Sequence, residues 1–288
     1  MELTAEERKK WNATIVGCLR KFIDICEEHN LTYYCIGGTA IGAVRHNGLI
    51  PWDDDIDVGM PRPDYERFVE LCKTIDLGDY ELATPERENY PCAFVKFCDA
   101  RTTLVERKGV PCLYGLYVDV FAIDGTAPTK AEAEALMAKY RRIGNKIDAV
   151  LTRYTVGQYL SLLFNPKQWG RFAVQTAGLL FGRETVRKYI LRRLDRISKA
   201  YSYADATLLV NYNGCYGSRE IFPKTWAETQ CDHAFEDLTV KLPSDCDAYL
   251  RNVYGDYMQL PPVEKRVCQH DHVFFDLNKR WKMVELAL

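Results

Sequence analysis

Apolar residues recur at helical spacing in several separate parts of the chain. Thr4 and Glu7 form a capping-box pattern that opens a helix, which is predicted to end near His29–Asn30. The same period predicts short helices over "TAIGAVRH" and "DYERFVELCKTI". Later helices are predicted from Thr129 to Leu151 and from about Ser244 to Tyr254.

Alternating and continuous apolar runs predict strands between these helices. "LTYYCIGG" predicts a strand that runs into a glycine turn, and "PWDDDIDVGMP" predicts a strand that Pro61 and Pro63 stop. Residues 80–121 contain four more strand patterns: "YELAT", "CAFVKFCD", "TTLVE" and "LYVDVFAID". Two others are "TLLVNYN" and "FEDLTVKLP". This mixture predicts the α+β class.

A basic section interrupts this pattern. Residues 141–199 hold 13 Lys and Arg against three acids, so their formal charge is +10 within a chain of net charge −2. Thr155–Tyr201 predicts two or three helices broken at Asn165-Pro166 and Gly182. Its apolar bulk beside basic residues fits two structures: peripheral contact with an anionic membrane, or a helical subdomain with a solvated basic face.

Composition sets the broad class. The hydrophobic fraction of 47% and the aromatic fraction of 12% favour a folded globular protein. The 11 cysteines form no CxxC pair, which favours reduced cysteines, several of them buried, and a cytoplasmic location. If the basic section contacts a membrane, the expected place is the inner face of the cell membrane. We expect a catalytic core over residues 1–130, a basic helical insertion over 131–204, and a C-terminal part, 205–288, that completes the core.

Four aspartates occupy five positions of "PWDDDIDVGMP": Asp53, Asp54, Asp55 and Asp57. In a strand, Asp53, Asp55 and Asp57 would share a face, with the Cα atoms of neighbours on that face about 6–7 Å apart. So much like charge needs a counter-charge, and carboxylates without a nearby Cys or His favour Mg²⁺ or Mn²⁺ over zinc. A solvated acidic turn is the alternative; a calcium loop of the EF-hand type lacks its glutamate here.

A third carboxylate is expected on a neighbouring strand. Asp119 lies in the otherwise apolar run "YGLYVDVFAIDG", where an acid needs a partner or a metal. Asp124 precedes a glycine and is interpreted as a turn residue. Upstream, Gly37-Gly38 lies between a strand and a helix, where backbone N–H groups can approach a phosphate. The order of strand, glycine pair, helix and acidic strand resembles the layout of nucleotidyltransferase-fold enzymes.

Four segments together resemble the LicD family of phosphotransferases, which includes the fukutin-type proteins. They are "GGTAIGAVRHNGLIPWDDDIDVGMPRPDYERF", "FVKFCDARTTLVE", "YVDVFAIDG" and "YLRNVYGDYMQLPP", in family order. The resemblance covers residues 1 to about 130 and about 205 to 275. It implies a nucleotidyltransferase-like mixed β-sheet core with flanking helices and a basic helical insertion.

The resemblance also implies the activity. A phospho-alcohol would pass from a CDP-alcohol donor, CDP-choline being favoured over CDP-ribitol, to a sugar hydroxyl, with CMP as the leaving group. The acceptor would be a cell-surface glycan such as teichoic acid or lipopolysaccharide, or its lipid-linked precursor. A nucleotidyltransferase that uses an NTP, and a non-catalytic glycan- or nucleotide-binding module, are the alternatives. The net-acidic catalytic portion disfavours nucleic acid as a partner.

The residues that carry these roles follow from the motifs. Magnesium or manganese would bind Asp53, Asp55, Asp57 and Asp119, with Asp119 as the candidate to take the acceptor proton. The candidate substrate-binding residues are Gly37, Gly38, Thr39, Arg45, His46, Lys96, Arg266 and His270. Arg45 and His46 fit a helix C-terminal cap equally well. A choline group needs aromatic neighbours, for which Tyr212, Tyr216, Tyr254 and Tyr257 are candidates.

Overall fold

The computed structural model describes residues 3–268 and 272–286. Its α-helices are α1 (Ala5–Glu28), α2 (Gly37–His46), α3 (Arg62–Leu71), α4 (Lys130–Leu151), α5 (Val156–Ser161), α6 (Trp169–Phe181), α7 (Arg183–Ser198) and α8 (Cys246–Tyr254). The strands are β1 (Tyr34–Cys35), β2 (Asp57–Pro61), β3 (Tyr80–Ala83), β4 (Val95–Asp99), β5 (Thr103–Val105), β6 (Tyr117–Gly125), β7 (Leu208–Val210), β8 (Ile221–Pro223), β9 (Gln230–Phe235), β10 (Leu238–Pro243) and β11 (Phe274–Asp276).

A mixed sheet in the order β1-β2-β6-β4-β3 forms the centre of the molecule. Strands β2 and β6 run parallel, and the other neighbours in this order run antiparallel. Strand β7 pairs with the end of β6, and β8 pairs with β7. Two further antiparallel pairs are β9 with β10 and β11 with β5. The α+β class and the mixed sheet are therefore confirmed.

Helix α1 and helix α3 cover the sheet through aromatic side chains. Phe22 of α1 contacts Phe68 of α3, with ring centroids 5.1 Å apart, and also Phe97 of β4. All three rings are buried. Burying each such ring contributes about 2–3 kcal/mol to the stability of the fold. Because the apolar residues of α1 recur at helical spacing, they form one face that packs on this sheet.

The predicted helix boundaries are close to the observed ones. Thr4 and Glu7 form both bonds of the capping box, and Thr129 caps α4. The basic section forms α5, α6 and α7, with the predicted breaks at Asn165-Pro166 and Gly182. Cys26, Cys35 and Cys72 are buried thiols, as their apolar faces predict.

Several local predictions are wrong. Only Leu238–Pro243 of "FEDLTVKLP" forms the predicted strand, because the backbone turns at Glu236 with φ of +53° and Phe235 ends the preceding strand, β9. The helix after β1 begins at Gly37, so the glycine pair is its first turn. Asp124 lies within β6, where Arg62 donates two hydrogen bonds to its carboxylate at 2.6 and 2.8 Å. From the sequence, Asp124 is interpreted as a turn residue because a glycine follows it. The ion pair with Arg62 explains why this acid is instead buried in a strand.

Candidate active site

Three neighbouring strands align the charged residues of the site in one row. Asp57 of β2 is the direct partner of Asp119 of β6, and Asp119 is the direct partner of Lys96 of β4. Adjacent strands lie about 4.8 Å apart, so residues in register on one face are within contact distance. The sheet register therefore brings together two aspartates and a lysine that are distant in sequence.

Asp55 joins the two aspartates of this row. One carboxylate oxygen from each of Asp55, Asp57 and Asp119 lies within 4.8 Å of the other two. Burial raises the pKa of Asp57 above its ordinary range, and the charges of Asp55, Asp119 and Asp53 raise it further. Mutual repulsion of this kind is relieved when a cation binds between the carboxylates.

The first aspartates lie in a loop and not in a strand. Strand β2 begins only at Asp57, and residues 53–56 do not pair with a neighbouring strand as part of a sheet. The expectation of one strand through Asp53 is therefore wrong, although the alternation of faces persists. Asp54 is buried, and His272 Nε2 lies 2.7 Å from its Oδ2 atom. The indole N–H of Trp11 donates to the Asp54 carbonyl at 2.7 Å, which fixes the loop to α1.

The glycine pair lies directly against the aspartates. A methyl group added to Gly37 would meet Asp57 Oδ2 at 2.8 Å, and one added to Gly38 would meet Asp53 Oδ2 at 2.5 Å. Gly37 also has φ of +58°, which strains any larger residue. The Thr39 hydroxyl accepts the Asp57 N–H at 2.8 Å, so Thr39 positions the start of β2. The first turn of α2 is thus a close-fitting wall of the carboxylate site.

Lys96 is buried in the sheet beside Asp119. Its Nζ atom donates to Asp119 Oδ1 at 2.8 Å and lies 3.8 Å from Glu106 Oε2. The ammonium group also lies 3.3 Å from the ring centroid of Tyr117. Burial alone would lower the pKa of Lys96, but the charges of Asp119 and Glu106 raise it above the ordinary value. Lys96 therefore stays charged and favours the ionised form of Asp119.

A second basic cluster surrounds Trp52. The Arg266 guanidinium lies 5.6 Å from the Trp52 ring centroid, and the His46 ring meets Trp52 edge-on at 6.2 Å. Arg45 donates to the Tyr257 carbonyl at 2.6 Å and to His46 Nε2 at 3.0 Å. Burial and the charge of Arg266 lower the pKa of Arg45. Two guanidinium groups that repel each other are a favourable environment for an anion.

Tyrosines form another wall near the carboxylates. Tyr216 and Tyr254 meet edge-on with centroids 4.6 Å apart. Burial raises the pKa of Tyr254, and the charges of Tyr216 and Asp57 are among the further causes. Tyr212 is instead buried against Tyr140, and the Tyr257 hydroxyl donates to Asp247. Within the described structure, Tyr216 and Tyr254 are thus the two of the four candidate tyrosines that the charges of the site aspartates affect.

The predicted site residues divide into three groups. The structure brings Gly37, Gly38, Thr39 and Lys96 against the aspartates, while Arg45, His46 and Arg266 form the cluster around Trp52. His270 lies outside the described residues. A cavity of about 870 Å³ lies elsewhere, between α3 and α7, and none of the candidate site residues lines it.

The residues present fit a magnesium or manganese ion. The donors of Asp55, Asp57 and Asp119 are all oxygen atoms, which both ions prefer. Their three negative charges exceed the one positive charge of Lys96, and this excess adds to burial, the main cause, in raising the pKa of Asp57. Asp55, Asp57 and Asp119 would hold the ion, and Asp53 lies beside them against Gly38.

Sequence comparisons agree with this geometry. The family model described as "LicD/FKTN/FKRP, nucleotidyltransferase domain" matches residues 30–129, which include all of the carboxylates and Lys96. A lipopolysaccharide cholinephosphotransferase of Haemophilus influenzae is 29% identical over 260 residues, which cover 88% of this chain and 92% of that protein. The chain is similar to LicD-family proteins over most of its length. The LicD resemblance inferred from the motifs is confirmed.

Other relatives match this chain over shorter stretches. Human ribitol 5-phosphate transferase FKRP is 39% identical over 41 residues, or 14% of this chain and 8% of that protein. An uncharacterized protein of Rickettsia prowazekii is 44% identical over 69 residues, or 17% of this chain and 26% of that protein. The wider similarity to the bacterial LicD protein extends well beyond the segment matched by the family model.

Sequence reasoning missed two acidic residues near the candidate site. Glu106 accepts hydrogen bonds from the hydroxyls of Tyr114 and Tyr117 and helps to hold Lys96. Glu220 is buried beside Gly214 and accepts the Tyr216 N–H at 3.3 Å. Glu106 ends the motif "FVKFCDARTTLVE", so a charge directly after an apolar strand was its signal. Glu220 follows a polar loop and has no such signal in the sequence.

Proposed function

We propose that this protein is a magnesium-dependent phosphotransferase that moves phosphocholine from CDP-choline to a sugar hydroxyl and releases CMP. The acceptor in this proposal is a cell-surface glycan, such as lipopolysaccharide, or its lipid-linked precursor. The observation that carries the proposal is the cluster of Asp55, Asp57 and Asp119 oxygens within 4.8 Å, in a chain that aligns with a lipopolysaccharide cholinephosphotransferase over 88% of its length. A divalent ion held there would neutralise diphosphate charge.

The chain's own residues supply the remaining functions. The acceptor hydroxyl attacks the phosphorus that bears choline, the phosphorus–CMP bond breaks, and CMP leaves. Asp119 is the candidate to take the acceptor proton, and Lys96 keeps it ionised and oriented at 2.8 Å. Arg45 and Arg266 are the candidates to bind phosphate. Tyr216 and Tyr254 supply aromatic faces of the type that bind a quaternary ammonium group.

The donor is tested by incubation with CDP-choline, CDP-ribitol, CDP-glycerol and NTPs, each with and without Mg²⁺. CMP release from CDP-choline that depends on Mg²⁺ and on an added glycan acceptor supports the proposal. CMP release from CDP-ribitol or CDP-glycerol alone would reassign the alcohol. Pyrophosphate release from an NTP would favour a nucleotidyltransferase, the reaction class that the family model's description names.

The metal site is tested by Asp57→Asn. Loss of one like charge relieves repulsion, so we expect the metal-free variant to be about 1 kcal/mol more stable than the parent. Magnesium at about ten times its Kd stabilises the parent by about 1.4 kcal/mol, and this increment should vanish in the variant together with turnover. Thermal unfolding with and without MgCl₂ measures both effects, with Asp76→Asn as an exposed control. Near-normal turnover of Asp57→Asn would contradict the metal assignment.

A further inference from the structure

Large apolar side chains are exposed in one stretch of the basic section. Half of the large hydrophobic residues that the described structure leaves exposed lie between residues 156 and 181, with exposed fractions from 44% for Leu163 to 86% for Phe164. We call these eight residues the apolar surface: Val156, Leu160, Leu163, Phe164, Trp169, Leu179, Leu180 and Phe181. Exposed apolar side chains concentrated in this way mark an interaction site.

The exposure follows from how α6 packs. Its inward face is small and polar: Gln175 is buried and donates to the Ala149 and Thr152 carbonyls, and Gly178 lies close to Val150. Trp169, Ala173, Ala177 and Phe181 repeat every four residues, so they form a stripe along one side of the helix. Because the contact with α4 uses Gln175 and Gly178, the large apolar residues of α6 are left pointing outward.

The charge around the apolar surface has one sign. The segment between Asp148 and Glu184 contains no acidic residue. It contains four basic residues, of which three are exposed: Arg153, Lys167 and Arg171. Arg183 is instead half-buried and donates to the Val150 carbonyl. A surface that combines exposed aromatic and aliphatic groups with uncompensated positive charge is complementary to an anionic bilayer.

The length of the helix restricts how it can meet a bilayer. Helix α6 has 13 residues, which extend about 20 Å, whereas a bilayer core is about 30 Å thick. Among the described helices, none combines the length and apolarity that crossing a membrane requires. We propose that the apolar surface lies in the headgroup region of an anionic membrane, with Lys167 and Arg171 at the phosphates. This inference does not depend on the proposed donor or reaction.

Helix α4 connects this surface to the carboxylate site. Its middle contacts the loop before Tyr216, where Arg141 donates to the Cys215 carbonyl at 3.2 Å. Its last turns receive Gln175 of α6 at Ala149. Eight residues of helix separate these contacts, or about 12 Å along the axis. Docking by the apolar surface would therefore hold the carboxylate site near the bilayer. This consequence alone rests on the proposed function, in which a lipid-linked acceptor would lie there.

Vesicle flotation of the full chain tests the inference. We expect it to float with vesicles that contain about one third phosphatidylglycerol in phosphatidylcholine, and to float far less with phosphatidylcholine alone or at high salt. Lys167→Glu with Arg171→Glu should weaken partitioning by roughly 30-fold or more. Phe164→Ser with Phe181→Ser should weaken it by about tenfold or more. The matched controls are Lys9→Glu with Lys108→Glu, and Val263→Ser with Val284→Ser, at exposed positions elsewhere.

Trp169 provides a second readout at the surface itself. The other four tryptophans are buried or half-buried, so lipid contact should affect Trp169 fluorescence most. Brominated phospholipids should quench the parent's emission, and Trp169→Phe should remove most of that quenching. Failure to float with the anionic vesicles at low salt would overturn the inference. So would a dimer in sedimentation velocity that Phe164→Ser with Phe181→Ser dissociates, because the surface would then be covered by a second copy.

Discussion

At the scale of single residues, the site depends on one buried lysine. Lys96 lies among the rings of Tyr117, Tyr114 and Phe94 and has Asp119 and Glu106 as its acidic neighbours. Desolvating an ammonium group is costly, and this pair of carboxylates compensates for it together with the ring faces. The main effect of the arrangement is therefore to fix the orientation of Asp119. Its net contribution to the stability of the fold is small, because desolvation offsets the attraction between the charges.

Removing the Lys96 charge should be severe. Lys96→Met leaves negative charge in the sheet without its cation, and we expect a loss of about 3–5 kcal/mol in the free energy of unfolding. Urea denaturation measures this loss. Lys108→Met, at an exposed lysine, should change stability by less than about 0.5 kcal/mol. Adding Glu106→Gln to Lys96→Met should recover part of the loss; equal stability of the Lys96→Met and Lys108→Met chains would contradict the assignment.

Glu220 should make stability depend on pH. Burial raises the pKa of Glu220 from 4.5 to about 7, because its charged form is desolvated. The folded chain then holds the Glu220 proton more tightly than the unfolded chain. Glu220 therefore contributes its full stabilisation when the pH is below its pKa in the unfolded chain. This stabilisation is lost as the pH rises through the pKa of Glu220 in the folded chain. At ~1.4 kcal/mol per pH unit, the loss approaches about 3 kcal/mol.

The Glu220→Gln variant isolates this contribution. The free energy of unfolding is measured for both chains at about pH 5 and about pH 8. Between these two values, the parent should lose more stability than Glu220→Gln does. Glu28→Gln, at an exposed position of α1, should keep the parent's pH dependence. A parent and a Glu220→Gln chain with parallel pH profiles would show that Glu220 does not titrate in this range.

At the scale of elements, periodicity predicted most of the fold and spacing predicted most of the site. The helical pattern placed α1 and α4 closely, because their apolar residues and capping threonines act locally. The strand that carries Asp57 was predicted too long, because its preceding loop alternates faces without pairing. Glu220 and the clamp between Asp54 and His272 could not be predicted, since each depends on contacts between segments far apart in sequence.

The start of α2 offers a test at this scale. Gly37→Ala adds a methyl group 2.8 Å from Asp57 Oδ2 at φ of +58°, so it should strain the backbone and displace the carboxylate. Gly78→Ala is the matched control, because Gly78 has φ of +62° with nothing within 4 Å of the added group. Both variants should lose about 1 kcal/mol of stability. Only Gly37→Ala should also lose magnesium-induced stabilisation and turnover; retention of both would remove α2 from the site.

At the scale of the whole molecule, Trp11 joins three distant parts of the chain. Its ring lies 4.9 Å from His272 and 5.7 Å from Phe275, and its indole N–H holds the aspartate loop at Asp54. Helix α1, the loop and the C-terminal strand β11 therefore share one buried contact.

Trp11→Ala should thus loosen all three parts. We expect a loss of about 3–5 kcal/mol in unfolding free energy and faster proteolysis near β11. Trp169→Ala, at an exposed tryptophan, should cost less than about 1 kcal/mol in solution without vesicles. Limited proteolysis followed by mass spectrometry locates the cuts. Cuts that stay at the parent's positions and rates would show that the tail is held independently of Trp11.

The register of the charged row also bears on how the chain folds. Asp119 is 23 residues from Lys96 but 62 residues from Asp57. Closing the longer loop costs about 0.9 kcal/mol more in chain entropy, and it also brings two anions together. We infer that the hairpin-like pairing of β4 with β6 forms first and lowers the electrostatic barrier to docking β2. Slower refolding of the Lys96→Met chain, beyond its faster unfolding, would reveal that order of assembly.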